Sequence, residues 1–257
     1  MDLELQDRVA IVCGSTGGLG LAAARRLAAE GAHVVVSGRR KDHLDAIVAE
    51  LPSAIGIPID YAEEHAAEVL YSSTVEAFGR ADIVVLNGPG PAPVQARDIA
   101  GPGLQAALRT LVEFPIALAN LAAPGMVARG WGRIVLIGSS GVVTPIPRLA
   151  TSNVARAAAA AYIKTLAGEL SGAGVTANVV VPGRVATDRV AALDEAQAGR
   201  EQVDVEQVRA ASRARIPAGR YGLPEEMADL IAFVCSGRAS YVSGSVLRCD
   251  GGMIPTL

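Results

Sequence analysis

Short, unbroken apolar runs alternate along this chain with longer segments whose apolar residues recur every three to four positions. The first run, Val9-Ala10-Ile11-Val12-Cys13, turns through Gly14-Ser15-Thr16-Gly17-Gly18-Leu19-Gly20 into the Ala-rich segment 21–30. A run this short between breakers predicts a strand buried on both faces, and the periodic segment behind it predicts a helix. The same reading places a second strand at 33–37, between Gly31 and Gly38, and a helix over 42–51 with apolar residues at 44, 47, 48 and 51. Asp42 is the expected N-cap of that helix. A third strand follows at 54–59, a helix from near Ala62, a fourth strand at 81–86 and a long helix over 104–129. Strands at 132–138 and 175–181 bracket a second long helix, 150–171, whose run from Ala157 to Ala161 offers a smooth face for close packing. Residues 191–214 are polar and loosely helical with Gly199 inside, and the pattern leaves their fold open. Strand and helix in alternation predict an α/β fold around a parallel sheet.

Composition narrows the class. With 257 residues, 51% hydrophobic and 19% charged, the chain suits a single domain, 1–257, with a large core. A net charge of −3 with scattered arginines gives no field to gather nucleic acid, so none is expected as a partner. The acidic start, Met1-Asp-Leu-Glu-Leu-Gln-Asp7, lacks the pattern of a signal peptide, and no apolar run reaches the ~18 residues of a membrane span. Cys13, Cys235 and Cys249 are odd in number and far apart, which argues against a disulfide framework or a metal site. A cytoplasmic protein that binds no metal and no membrane is expected.

The glycine turn is where chemistry enters. A strand that fires into a helix through glycines offers backbone N–H groups and the positive helix end to a phosphate, with nothing bulky in the way. Gly14, Ser15, Thr16, Gly18, Leu19 and Gly20 are therefore candidate nucleotide-binding residues. In a dinucleotide fold an acidic residue at the end of the second strand holds the adenosine ribose, whereas Arg there accepts a 2′-phosphate. Here Gly38 takes the acidic place and Arg39 follows it, so NADP(H) is expected over NAD(H).

The spacing of Gly14, Gly18 and Gly20, G-x-x-x-G-x-G, resembles that of the short-chain dehydrogenase/reductase family, with Cys13 where that family usually has Thr. Further on, Pro182-Gly183-Arg-Val-Ala-Thr187 is similar to the family's P-G-x-x-x-T motif, and Gly219-Arg-Tyr-Gly-Leu-Pro224, Ser240-Tyr-Val-Ser-Gly244 and Asp250-Gly-Gly continue the likeness. It runs from about Gln6 to Gly252 and is nearest the acyl-carrier-protein ketoreductases. The resemblance implies a Rossmann-type, doubly wound parallel sheet of about seven strands. It also implies that Asp60 meets the adenine, that Asn87 lies beneath the cofactor, and that Pro182, Gly183 and Thr187 cover the nicotinamide side. Asp60 equally suits a helix cap. Of the family's Asn-Asn-Ala-Gly only Asn87 stands in register, and three prolines stiffen the loop after it. A dimer or tetramer through the two long helices and a substrate lid at 191–214 are further implications.

The family's catalytic Asn, Ser and Tyr-x-x-x-Lys positions fall on Leu111, Ser139, Ser152 and Arg156. Three of the four are replaced, which makes the tetrad degenerate. Tyr162 and Lys164 are two residues apart, so they point to different sides of a helix and do not rebuild the pair. An aliphatic hydroxyl is a far weaker acid than a phenol, and Arg stays charged, so Ser152 and Arg156 cannot act as Tyr and Lys do. Pro115, four residues after Leu111, removes the helical donor to the Leu111 carbonyl and predicts a kink there. That carbonyl is then free to hold a relay water, although Pro115 equally serves to shape the helix. Arg156 suits a carboxylate, a phosphate or a ribose diol, and Arg148 and Arg184 are expected near the same cleft.

The first expectation is therefore an atypical NADP-binding oxidoreductase acting on an oxo-acyl or other carbonyl or hydroxyl compound, anionic or carrier-linked. A redox-neutral isomerase or lyase on an anionic substrate, and a non-catalytic dinucleotide-binding protein, are the alternatives.

Overall fold

Each apolar run forms a strand in the computed structural model, which describes residues 1–256. The strands are β1 (Val9–Val12), β2 (His33–Gly38), β3 (Ala54–Pro58), β4 (Ile83–Leu86), β5 (Gly132–Ile137), β6 (Val175–Pro182) and β7 (Val246–Cys249). All pair in parallel, in the order β3-β2-β1-β4-β5-β6-β7. Successive strand residues point to opposite faces. Thus Ile11, Val35, Val84, Ile134 and Val179 enter one core, while Ala10, Val12, Val34, Val36, Ile83, Val85, Val135 and Val180 enter the other. Both faces are covered, which is why the strands read as continuous apolar runs rather than alternating ones.

Helices α3 (Ala66–Phe78), α5 (Phe114–Ala128) and α6 (Ala150–Leu170) cover the first face through Leu70, Leu118, Met126, Ile163 and Leu166. Helices α1 (Gly18–Ala29), α2 (Lys41–Glu50) and α9 (Pro224–Val234) cover the second through Leu27, Leu44, Ile47, Met227 and Ile231. The chain winds outward from β1 to β3, then returns to lay β4 on the other side of β1. In such sheets ligands bind beyond the carboxyl ends of the strands, at this reversal.

Four expectations need correction. Helix α2 starts at Lys41 with Arg40 at the cap position and no side-chain cap, so Asp42 lies in the first turn, where its charge favours the helix start instead. The helix expected from Ala62 begins at Ala66; Asp60 first accepts the Ala62 N–H (3.0 Å) and closes a turn. The long helix is broken into α4 (Gly101–Leu108), a π-helical turn (Arg109–Glu113) and α5. Pro115 explains the break: it offers no N–H to Leu111, and the ladder widens so that Phe114 N–H reaches the Arg109 carbonyl. Finally, Gly101–Ala128 is long and apolar enough to cross a membrane by length and composition. Here Phe114, Leu118, Ala122 and Met126 turn its inner face into the core.

Residues 191–214 fall in two helices, α7 (Asp188–Glu201) and α8 (Val205–Arg213). Each has its own cap: Thr187 Oγ1 accepts the Val190 N–H at 3.4 Å, and Asp204 Oδ1 accepts the Glu206 N–H at 2.7 Å.

Candidate active site

The glycine turn is shaped by contacts that no side chain larger than hydrogen could allow. Gly14 and Gly18 sit in the left-handed region, with φ of 59° and 54°. A Cβ on Gly20 would lie 2.3 Å from the Gly14 carbonyl oxygen. Asn87, arriving from the end of β4, donates from Nδ2 to that same carbonyl at 3.3 Å. Ser15 is buried: its hydroxyl donates to Val12 O (2.8 Å) and accepts the Ser37 N–H (2.9 Å), so it ties the ends of β1 and β2 together. Tyr61 lies beneath them, its Oη accepting the Gly14 N–H at 2.6 Å and resting 2.8 Å from Ser37 Oγ. Burial pushes the Tyr61 phenol well above its ordinary range.

This scaffold leaves the start of α1 open. No side chain caps it, its first turn has no acidic residue, and a Cβ built on Gly17 meets nothing within 4 Å. The first N–H groups of a helix have no intrahelical partner, so those of Gly18, Leu19 and Gly20 suit a pyrophosphate. Thr187 stands across from them, 3.7 Å from where a Gly18 Cβ would be. It follows Pro182 at the end of β6 and Gly183, whose N–H donates to Cys249 O at 2.9 Å. At the far end of the cradle, Gly38 packs on Thr16, and Arg40 reaches Thr16 O at 3.4 Å. Arg39 extends into solvent, its Nη1 4.0 Å from Asp60 Oδ2. An exposed pair at that distance contributes little and leaves the guanidinium available.

The other side of the cleft is built from the ends of β4 and β5 and the start of α6. Ser139 Oγ accepts the Gly141 N–H at 3.1 Å. One helix further, Asn153 grips the intervening loop twice, accepting the Ile146 N–H and donating to the Ile146 carbonyl. Ser152 is buried in the first turn of α6. Arg156, one turn later, donates from Nη1 to Ile137 O (2.9 Å) and Gly138 O (3.2 Å), at the very end of β5. Burial draws its pKa down to about 10, helped by the like charge of Arg189. Leu111 plugs the space between α6 and the loop after β4: it packs with Ala107 and Ala155, and a Cβ on Gly88 would come 2.9 Å from its Cδ2.

The proline loop is fixed from two sides. Val94 N–H donates to Arg148 O at 2.7 Å, and Arg189 Nη2 donates to Pro91 O at 2.8 Å. Arg148 itself is exposed, with φ of 64°. Arg184 is committed elsewhere: it pairs with the fully buried Asp194 of α7, whose other oxygen accepts the Tyr221 hydroxyl at 2.9 Å. Tyr162 and Lys164 diverge, to Asn120 Oδ1 on α5 (2.8 Å) and Gly244 O (3.0 Å). Tyr61, Asn153, Arg189 and the Asp194 network were not read from sequence. The partners of Tyr61 and Arg189 lie far along the chain, and Asn153 and Asp194 gain their roles from how local loops and helices fold back; only the register of Tyr61 directly after Asp60 hinted at a site.

A glycine cradle at the strand-order reversal, with polar side chains gathered beyond β5, defines a dinucleotide-binding α/β protein. A family model described as enoyl-(acyl carrier protein) reductase matches residues 14–254. The bovine (Bos taurus) dehydrogenase/reductase SDR family member 4 is 33% identical over 98% of this chain and 89% of its own length. The structure of L-sorbose reductase from Gluconobacter frateurii, complexed with NADPH and L-sorbose, superposes with a TM-score of 0.94 at 31% identity, covering both chains completely. Actinorhodin polyketide ketoreductase with NADPH gives 0.91 at 30% identity, over 96% of this chain and 97% of that one. The chain belongs to the short-chain dehydrogenase/reductase family of NAD(P)-dependent oxidoreductases.

Proposed function

We propose that the chain is an NADP(H)-dependent oxidoreductase that interconverts a carbonyl and a hydroxyl compound without a Tyr-Lys pair. The fate of its tyrosines and lysines carries this reading. Of five tyrosines, Tyr61 is buried beneath the cradle, Tyr71 lies against Gly125, Tyr162 bonds Asn120, Tyr221 bonds Asp194 and Tyr241 is fully exposed. Both lysines are also engaged elsewhere, Lys41 with Asp45 and Lys164 with Gly244.

When bound, the nicotinamide supplies or accepts the hydride. The substrate oxygen, as it becomes an alkoxide, then needs positive charge and a proton. Arg156, held by the Ile137 and Gly138 carbonyls, provides fixed positive charge where the oxyanion develops. Ser139 orients the oxygen. Ser152 gives its proton to the alkoxide while taking one from a water that is itself reprotonated from bulk solvent, because the Ser152 hydroxyl is too weak an acid to stay ionised. The Leu111 carbonyl, deprived of a helical donor by Pro115, is the anchor for that water. The preference for NADP rests on Gly38, which offers no carboxylate to ribose hydroxyls, and on the exposed Arg39 and Arg40 beside it. Exposed Val127 on α5 and Val154 on α6 support a dimer through the long helices.

The test is a fluorescence titration with NADPH and, in parallel, NADH, followed by a carbonyl screen read at the NADPH absorbance. Tighter NADPH binding and net NADPH oxidation are the expected results. Binding of neither dinucleotide would sink the reading. The cationic pocket also favours a redox-neutral reaction of an anionic substrate, which would show as conversion with no change in NADPH.

A further inference from the structure

Arg189 is the side chain that neither the resemblance nor the sequence singled out. It stands in the first turn of α7, and its guanidinium lies over the proline loop: three of its atoms are 3.2–3.5 Å from a Cβ built on Gly90, and Nη2 holds the Pro91 carbonyl. That loop leans on α6. Gly88 rests on Leu111, and Leu111 rests on Ala155, the neighbour of Arg156. The two guanidiniums thus flank one loop, above the ends of adjacent strands β4 and β5.

Neither is neutralised. Among the described residues no carboxylate lies within 4.0 Å of Arg156 or Arg189, whereas Arg39, Arg184 and Arg220 each have one. Asp194, the buried acid on the same helix, is taken by Arg184 and Tyr221. That network also sets the orientation of α7 and so the reach of Arg189. Arg156 is half-buried and Arg189 stands at the exposed mouth above it, so the like charge of the outer guanidinium bears on the inner one, and an anion joining them would relieve that repulsion. Each guanidinium spends one nitrogen on backbone carbonyls, which leaves the rest of both planar forks for oxygen ligands.

We infer that Arg156 and Arg189 form a carboxylate-binding site, so that the substrate is an oxo acid or hydroxy acid whose carboxylate bridges the base of the cleft and α7. This rests on the oxidoreductase reading and specifies its substrate class. The Asp194 network acts as a positioning element for Arg189, with no contact to substrate.

The test uses the full chain saturated with NADPH and three matched pairs of probes: pyruvate, acetoacetate and levulinate, each beside its methyl ester. Binding is read by nicotinamide fluorescence and turnover by NADPH oxidation. At least one acid is expected to bind tenfold or more tightly than its ester. Arg189→Ala should erase that preference while changing NADPH affinity less than twofold. Tyr221→Phe should weaken acid binding several-fold, through loss of α7 position, with NADPH affinity intact. Equal binding of acids and esters, no binding of any acid at 10 mM probe (about the concentration where millimolar affinity saturates), or competition by inorganic phosphate without carboxylate binding would each overturn the inference. So would a tenfold loss of NADPH affinity in Arg189→Ala without acid present, since the site would then serve cofactor phosphates. A chain that binds no NADPH fails the oxidoreductase reading itself, which separates the two outcomes.

Discussion

The two sides of the strand-order reversal hold function in different ways. On the β1 side, the cradle works through main chain: φ angles open to glycine, a carbonyl 2.3 Å from a forbidden Cβ, and a buried tyrosine bracing one N–H from below. On the β5 side, the site works through side chains that stand on an ordinary helix, Ser152 and Arg156 on α6, and could be others without disturbing the sheet. A backbone device tolerates almost no substitution, whereas a side-chain device can change its chemistry at small cost to the fold. The two halves should therefore respond differently to substitution.

The sharpest way to break that contrast is to exchange the chemistry on α6. Ser152→Tyr with Arg156→Lys should leave the fold intact and raise NADPH oxidation, on any carbonyl substrate the native chain turns over, by about 100-fold, the lower range for a placed general acid. An unfolded double variant, seen as loss of the thermal transition, would show that Arg156 is structural and that the two sides are less different than they look. On the cradle side, Gly20→Ala puts a methyl into the Gly14 carbonyl and forces the turn open. NADPH affinity should fall by about 100-fold, with an overpacking cost of about 1–3 kcal/mol in a denaturant titration. Unchanged affinity would mean that the turn is not the phosphate cradle.

A smaller effect is expected at the edge of the cradle, where side chains again decide. Arg39→Ala should cost about tenfold in NADPH affinity and leave NADH unchanged, as expected for loss of one solvent-screened contact to a 2′-phosphate. Equal losses for both cofactors would place Arg39 at the ribose or adenine instead.

What could be read from sequence follows the same division. Strands β1 to β6 were legible because burial keeps them mostly apolar, and the glycine turn because Gly14 and Gly18 take left-handed φ and Gly20 has no room for a Cβ. Strand β7, Val246–Cys249, was not read from its own pattern: it lies at the sheet edge, partly exposed, and carries Arg248. The π-helical turn was half legible, since Pro115 announced a break without saying how the ladder would absorb it. Tyr61, Asp194 and Arg189 stayed hidden because their meaning lies in partners 47, 27 and 98 residues away, Gly14, Tyr221 and Pro91. Local pattern carries no record of such pairings. Arg184 and Arg156 looked alike in sequence, and only the position of Asp194 makes one a structural ion pair and leaves the other free.

The smallest effect tests how firmly the cradle is closed. Cys13 follows β1 directly before Gly14, and burial pushes its thiol up to about 12 from an ordinary 9.0, against weaker pulls from the Asn87 backbone and the Ser37 hydroxyl. Cys235 is raised to about 12 by burial as well, while Cys249 is half-exposed. The thiolate is the reacting form, so at pH 8 iodoacetamide should label Cys249 first and reach Cys13 and Cys235 only as fast as the chain opens. Because the folded pKa of Cys13 lies above the unfolded one, its contribution to stability is complete below pH 9 and is lost as pH climbs from 9 toward 12. Labelling of Cys13 should therefore accelerate across that window by more than its thiolate fraction alone explains. NADPH, by bracing the turn, should slow Cys13 and leave Cys249 unaffected. If Cys13 reacts as fast as Cys249 at pH 8, the cradle breathes on the labelling timescale, and its rigidity cannot be what separates it from the side-chain half of the site.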